Sequence, residues 1–115
     1  MDSKELVKIA VKALEDKKAH NIKILDIKEI SSVGDYFVVA DGSNRNQVQA
    51  MCDNVEEYMS KEGINIKNRE GYSIGGWILL DYYDIIIHIF AEEERSFYGI
   101  EHIWSDANSV FLEDL

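Results

Sequence analysis

Proline is absent from this 115-residue chain, and cysteine occurs once, at Cys52. With no proline, no low-complexity stretch and no internal repeat, nothing marks a linker, so residues 1–115 read as a single domain. One cysteine excludes an internal disulfide and fits a reducing compartment. No apolar run approaches the ~20 residues of a membrane span. Met1-Asp2-Ser3-Lys4-Glu5 lacks the basic-then-apolar layout of a secretory signal, so the cytoplasm is the expected location and no membrane is an expected partner. Basic residues are also scarce: 12 Lys and Arg face 22 Asp and Glu, a formal net charge of −10. Such a chain repels phosphates at long range, so no direct nucleic-acid site is expected. A basic protein surface would attract it and speed association. Acidity also serves solubility alone.

What is present is enough for a soluble core: 46% hydrophobic residues beside 30% charged ones. Asp2 or Ser3 caps a first helix with Leu6, Ile9, Ala10, Ala13 and Leu14 on one stripe, and His20-Asn21 closes it. Residues 22–27 read as a short strand. Residues 31–35 form a turn, and Tyr36–Ala40 is apolar enough throughout to be a central strand. Gly42-Ser43-Asn44 starts a second helix with the stripe Val48, Met51, Cys52, Val55 and Met59, and Gly63 stops it. A short strand over 64–70 and a connector over 71–76 follow. Glu92-Glu93-Glu94 opens a third helix carrying Phe97, Tyr98, Ile100, Ile103 and Trp104. The order α-β-β-α-β-β-β-α predicts an α/β domain, a mixed β-sheet with packed helices.

Residues 77–90 form the most informative segment, two apolar strands around a polar break at Asp81–Asp84. With Tyr82-Tyr83 as a two-residue loop, Asp81 opposes Asp84, Leu79 opposes Ile86, and Trp77 opposes His88. Alternation places Trp77, Leu79, Asp81, Asp84, Ile86, His88 and Phe90 on one face and Ile78, Leu80, Ile85, Ile87 and Ile89 on the other. The aliphatic face is the natural core. The Trp77 face is too apolar to stand in water, so either the same chain or a partner covers it.

Catalytic readings are thinner. Gly42-Ser43 between a strand and a helix is an entry to nucleotidyltransferase chemistry, which needs a helix N-terminus near phosphate and two carboxylates on a metal. Asp-x-Asp is the spacing a strand would use, and only Asp81 and Asp84, three apart, are on offer. A metal-dependent nucleotidyltransferase using Ser43, Asp81 and Asp84 is therefore the alternative from the enzyme class. Cys52 sits mid-stripe as a buried thiol rather than a nucleophile. His20, His88 and His102 show no metal-ligand spacing with one another or with Cys52. Nothing demands an enzyme, a cofactor or a metal.

Several motifs stand in one order: Asp35-Tyr36-Phe37-Val38-Val39-Ala40-Asp41-Gly42-Ser43, Arg45-Asn46-Gln47-Val48, Glu70-Gly71, Gly76-Trp77-Ile78-Leu79-Leu80-Asp81-Tyr82, Asp84-Ile85-Ile86-Ile87-His88-Ile89-Phe90 and Arg95-Ser96-Phe97-Tyr98. With Glu101, Trp104, Asp106 and Ala107, they make the chain resemble the Iojap-type ribosomal silencing factors over nearly its whole length. No single motif would carry this; their series does. One position departs, since the family usually has Gly where this chain has Tyr83.

The resemblance implies a nucleotidyltransferase-like core lacking the catalytic carboxylates. It implies a non-enzymatic factor that binds the large ribosomal subunit at its fourteenth protein and blocks joining of the small subunit, lowering translation when nutrients are scarce. Such a partner is basic, as the acidity of the chain would suit. The residues expected to meet it are Trp77, Leu79 and Ile86 as apolar anchors, with Asp81, Tyr82, Asp84 and His88 as polar contacts. Arg95, Tyr98 and Glu101 stand beside them. A third reading makes the same face a homodimer interface.

Overall fold

The computed structural model describes residues 2–92 and 108–115. Two helices, α1 (Ser3–Asp16) and α2 (Arg45–Lys61), pack on one face of a six-stranded sheet. Its strands are β1 (His20–Asp26), β2 (Tyr36–Gly42), β3 (Asn68–Glu70), β4 (Trp77–Asp81), β5 (Ile85–Ala91) and β6 (Asn108–Val110). They lie in the order β3-β4-β5-β2-β1-β6. Among the described residues only β2 and β5 pair in parallel, and every other pair is antiparallel. These two central strands are buried at every residue, which explains their continuous apolar sequences. The mixed α/β architecture is the expected one. The third helix expected from Glu92 onward falls on residues 93–107, outside the described residues.

Local chemistry explains the element ends. Asp2 caps α1 by accepting the Glu5 N–H at 2.9 Å, and Asn44 caps α2 by accepting the Gln47 N–H at 2.8 Å. Both helices end in the same paired hydrogen bonds. In α2, Gly63 (φ 73°) takes the left-handed position, with Gly63 N–H to Ser60 O and Ile64 N–H to Met59 O. In α1, Lys18 (φ 62°) does so, with Lys18 N–H to Glu15 O and Ala19 N–H to Leu14 O. The helix therefore closes before the predicted His20-Asn21. Asn21 is also left-handed (φ 51°), but it serves a register irregularity in β1.

The helix-side core joins Leu6, Val7, Ala10 and Leu14 of α1 and Val48, Met51, Val55 and Met59 of α2 to Val38, Ile78, Leu80, Ile85, Ile87 and Ile89 of the sheet. This is the aliphatic face predicted for the core. Asn54 of α2, nearly buried, donates to the Ala13 carbonyl of α1 at 2.8 Å, and the Tyr58 hydroxyl donates to Asp16. Both bonds tie one helix to the other, and the Asn54 bond also satisfies polar atoms buried inside the contact. β6 carries no strand signal of its own: Asn108-Ser109-Val110 is too short and polar to announce a strand, and it exists by pairing with Ile24–Asp26 of β1.

Candidate partner-binding face

The β4–β5 hairpin pairs Trp77 with Phe90, Leu79 with His88 and Asp81 with Ile86. The predicted pairing is therefore two residues out of register. The two-residue loop is Tyr83-Asp84, because Tyr82 N–H bonds Ile85 O at 3.0 Å and continues the ladder. Three contacts hold this turn: Asp84 N–H to Tyr82 O (2.9 Å), Tyr83 N–H to the Asp81 carboxylate (2.9 Å), and Asp35 N–H to Asp84 O (2.6 Å). Tyr83 stands at φ 69°, a positive φ that glycine would supply without strain. The true register also avoids setting Asp81 directly opposite Asp84, which like charges disfavour. A slip of two residues leaves every side chain on its face, so the predicted face assignment for residues 77–81 and 85–90 survives.

That second face is unevenly covered. Phe90 is fully buried and His88 and Ile86 nearly so, in a cluster with Leu25, Ile27, Phe37 and Val39. Ile86 and His88 thus lie inside the chain, whereas both were expected at a partner surface. Trp77 and Leu79 pack on this cluster but stay half-buried, and Asp81 is half-buried beside them. Asp84 is exposed at the turn. Tyr82, expected as a polar contact, instead enters the helix-side core at 3% exposure, because continuing the ladder turns its ring inward beside Ile85. Arg95, Tyr98 and Glu101 lie outside the described residues.

Trp77 is held by the face it covers. Its indole N–H donates to His88 Nδ1 at 3.2 Å, and its ring stacks on Phe90 with centroids 5.2 Å apart. Phe37 meets His88 edge-on at 4.7 Å. Since Nδ1 accepts, the neutral imidazole carries its proton on Nε2, which has no hydrogen-bond partner among the described residues. Burial lowers the His88 pKa to about 4, so near neutral pH the imidazole is an uncharged aromatic spacer under Trp77.

The catalytic alternative needs Ser43, Asp81 and Asp84 to converge, and the sheet separates them. Gly42 pairs with Ala91 and Tyr36 with Ile85 on parallel strands, so Ser43 and Asp84 lie at opposite ends of the sheet. Six residues of strand amount to roughly 20 Å. Gly42 has a packing reason instead: a Cβ there would come within 2.9 Å of the Val48 side chain. The Ser43 N–H is taken by Gln47 Oε1 at 2.6 Å, and the Gln47 amide donates to the Lys17 carbonyl at 3.0 Å, tying the start of α2 to the end of α1. Elsewhere, Cys52, Asp53 and Glu56 bring donor atoms within 4.8 Å of one another. Burial pushes the Cys52 thiol up to about 12, so it stays protonated, while Asp53 accepts from Tyr72 and Glu56 accepts from Arg69. Among the described residues, no helix is long and apolar enough to cross a membrane.

Comparison with known proteins places this geometry. The family described as "Ribosomal silencing factor during starvation" matches residues 1–115. A ribosomal silencing factor RsfS of Halalkalibacterium halodurans is 39% identical over 113 residues, covering 98% of this chain and 97% of the relative. That of Bacillus subtilis is also 39% identical over 113 residues, covering 98% and 96%. A crystal structure of a Chromobacterium violaceum protein superposes with a TM-score of 0.89 at 33% identity, covering 91% of this chain and 88% of that one. On sequence and on fold alike, the chain belongs to the ribosomal silencing factor (RsfS) family.

Proposed function

We propose that this protein docks on the large ribosomal subunit in the cytoplasm, at the fourteenth protein of that subunit, and blocks joining of the small subunit when nutrients are scarce. It acts by occupying a surface rather than by chemistry. The observation that carries the reading is the strip formed by Trp77, Leu79 and Asp81 on β4, running to exposed Asp84 at the turn. Two half-buried apolar side chains next to two carboxylates are a fitting complement to a basic protein surface, apolar at the centre and charged at the rim. The net charge of −10 favours the same encounter and disfavours direct contact with RNA phosphates. Membership of the silencing family supplies the ribosomal setting.

Co-sedimentation with separated ribosomal subunits tests this. The protein should pellet with large subunits and not with small ones. Equal pelleting with both, persisting in moderate salt, would overturn it.

A further inference from the structure

Five large hydrophobic side chains are exposed among the described residues: Ile30, Val33, Ile74, Tyr83 and Phe111. Singly, such residues are ordinary. Three of them, however, gather at one end of the sheet. Ile30 and Val33 belong to the β1–β2 connection, and Tyr83 heads the β4–β5 turn. The two loops lie against each other at Gly34, where a Cβ would come 3.1 Å from Asp84 O and 3.3 Å from Tyr83 O. Asp35 N–H bonds Asp84 O, Ile30 N–H and Ser31 N–H both bond Ile27 O, and Val33 N–H bonds the Ser31 hydroxyl. The connection is thus a hydrogen-bonded platform that holds Ile30 (45% exposed), Val33 (53%) and Tyr83 (60%) outward.

The surroundings are acidic. Asp26, Glu29, Asp35, Asp81 and Asp84 stand on these segments or beside them, against Lys28 and Lys67. Both cations are engaged locally: Lys28 reaches the Tyr36 hydroxyl at 2.8 Å and Asp26 at 3.4 Å, and the Lys67 ammonium lies 5.6 Å from the centroid of the Tyr83 ring. An apolar centre with a carboxylate rim repels phosphate and suits a basic protein surface.

We infer that the Ile30–Val33–Tyr83 platform is a second contact with the basic large-subunit protein, continuing the Leu79–Asp81 strip around the end of the sheet. The inference rests on the docking reading above and extends it from the strand to the two loops. A platform already fixed by hydrogen bonds loses little conformational freedom on binding, so its apolar area contributes to affinity with little ordering cost.

Two variants of the full chain test it by titration against isolated large subunits. Ile30→Ser/Val33→Ser changes two exposed side chains and should leave the melting temperature in place while weakening binding about tenfold or more. Tyr83→Gly removes the third side chain and relieves a positive φ, so it should weaken binding in a protein that melts no earlier; loss of fold then cannot explain the result. If wild-type protein binds and both variants bind equally well, the platform is no contact and the inference falls while the docking reading stands. If the double variant loses only self-association, measured by sedimentation across a concentration series, a second copy of this chain is the occupant and the inference is again overturned. If wild-type protein does not bind large subunits, the docking reading itself fails and takes the platform with it.

Discussion

Tyr83 shows how a single residue can carry a local cost for the sake of a turn. At φ 69° its Cβ crowds the following carbonyl, a strain of roughly 1 kcal/mol for a residue other than glycine. Lys18 and Asn21 also have positive φ, and asparagine tolerates it better than the other two. Around Tyr83 the Asp81 carboxylate and the Asp84 carbonyl hold the geometry, so the surrounding bonds over-determine a conformation the residue itself disfavours. Tyr83→Gly should therefore stabilise the fold by about 0.5–1 kcal/mol, the relief of strain being partly offset by the entropy glycine loses on folding. Urea unfolding measures this. Lower stability in the variant would mean that the tyrosine ring, lying over Lys67, contributes more than its backbone strain takes away.

At the scale of elements, the sequence was legible where one physical rule acted alone. Period and capping residues placed α1, α2, the apolar central strand and the two faces of the β4–β5 hairpin. They did not place what depends on contacts distant in sequence. The hairpin register turns on Tyr82 continuing the ladder into the core and on Asp35 binding the turn, and neither is visible in residues 77–90 read alone. The burial of His88 and Ile86 likewise depends on Leu25 and Phe37 from other strands and on Ile27 just past the end of β1. Gly71 is a further case. Its need for glycine comes from a contact outside its own segment: it has φ 82°, and a Cβ there would fall 2.1 Å from the Trp77 carbonyl oxygen. Gly63 has a similar φ of 73° but nothing within 4 Å of its missing Cβ. Gly63→Ala should thus cost only the left-handed strain, about 1 kcal/mol. Gly71→Ala should cost more than 2 kcal/mol, because the connector and the start of β4 must move apart as well. Equal losses in denaturant unfolding would show that the connector shifts freely and that Trp77 is not positioned by it.

For the whole molecule, the question is how one side chain divides its energy between fold and partner. Trp77 stacks on Phe90 and donates to His88, yet remains half-buried, so it belongs partly to the cluster and partly to the surface. A tryptophan wholly in the core costs about 3–5 kcal/mol of stability on truncation to alanine. Half of that burial predicts a loss of roughly 1.5–2.5 kcal/mol for Trp77→Ala, leaving the protein folded. If the exposed part of the ring anchors the large-subunit contact, binding should fall by ~2 kcal/mol, about thirtyfold. Asp84→Lys probes the same surface through charge alone. The side chain is exposed, so stability should hardly change, while association with a basic partner should slow, most visibly at low salt where screening is weak. Thermal melts and subunit titrations on the two variants separate the contributions. A Trp77→Ala protein that melts far earlier but binds normally while folded would assign the ring to the core. An Asp84→Lys protein with an unchanged, salt-independent association rate would place the basic partner on another face.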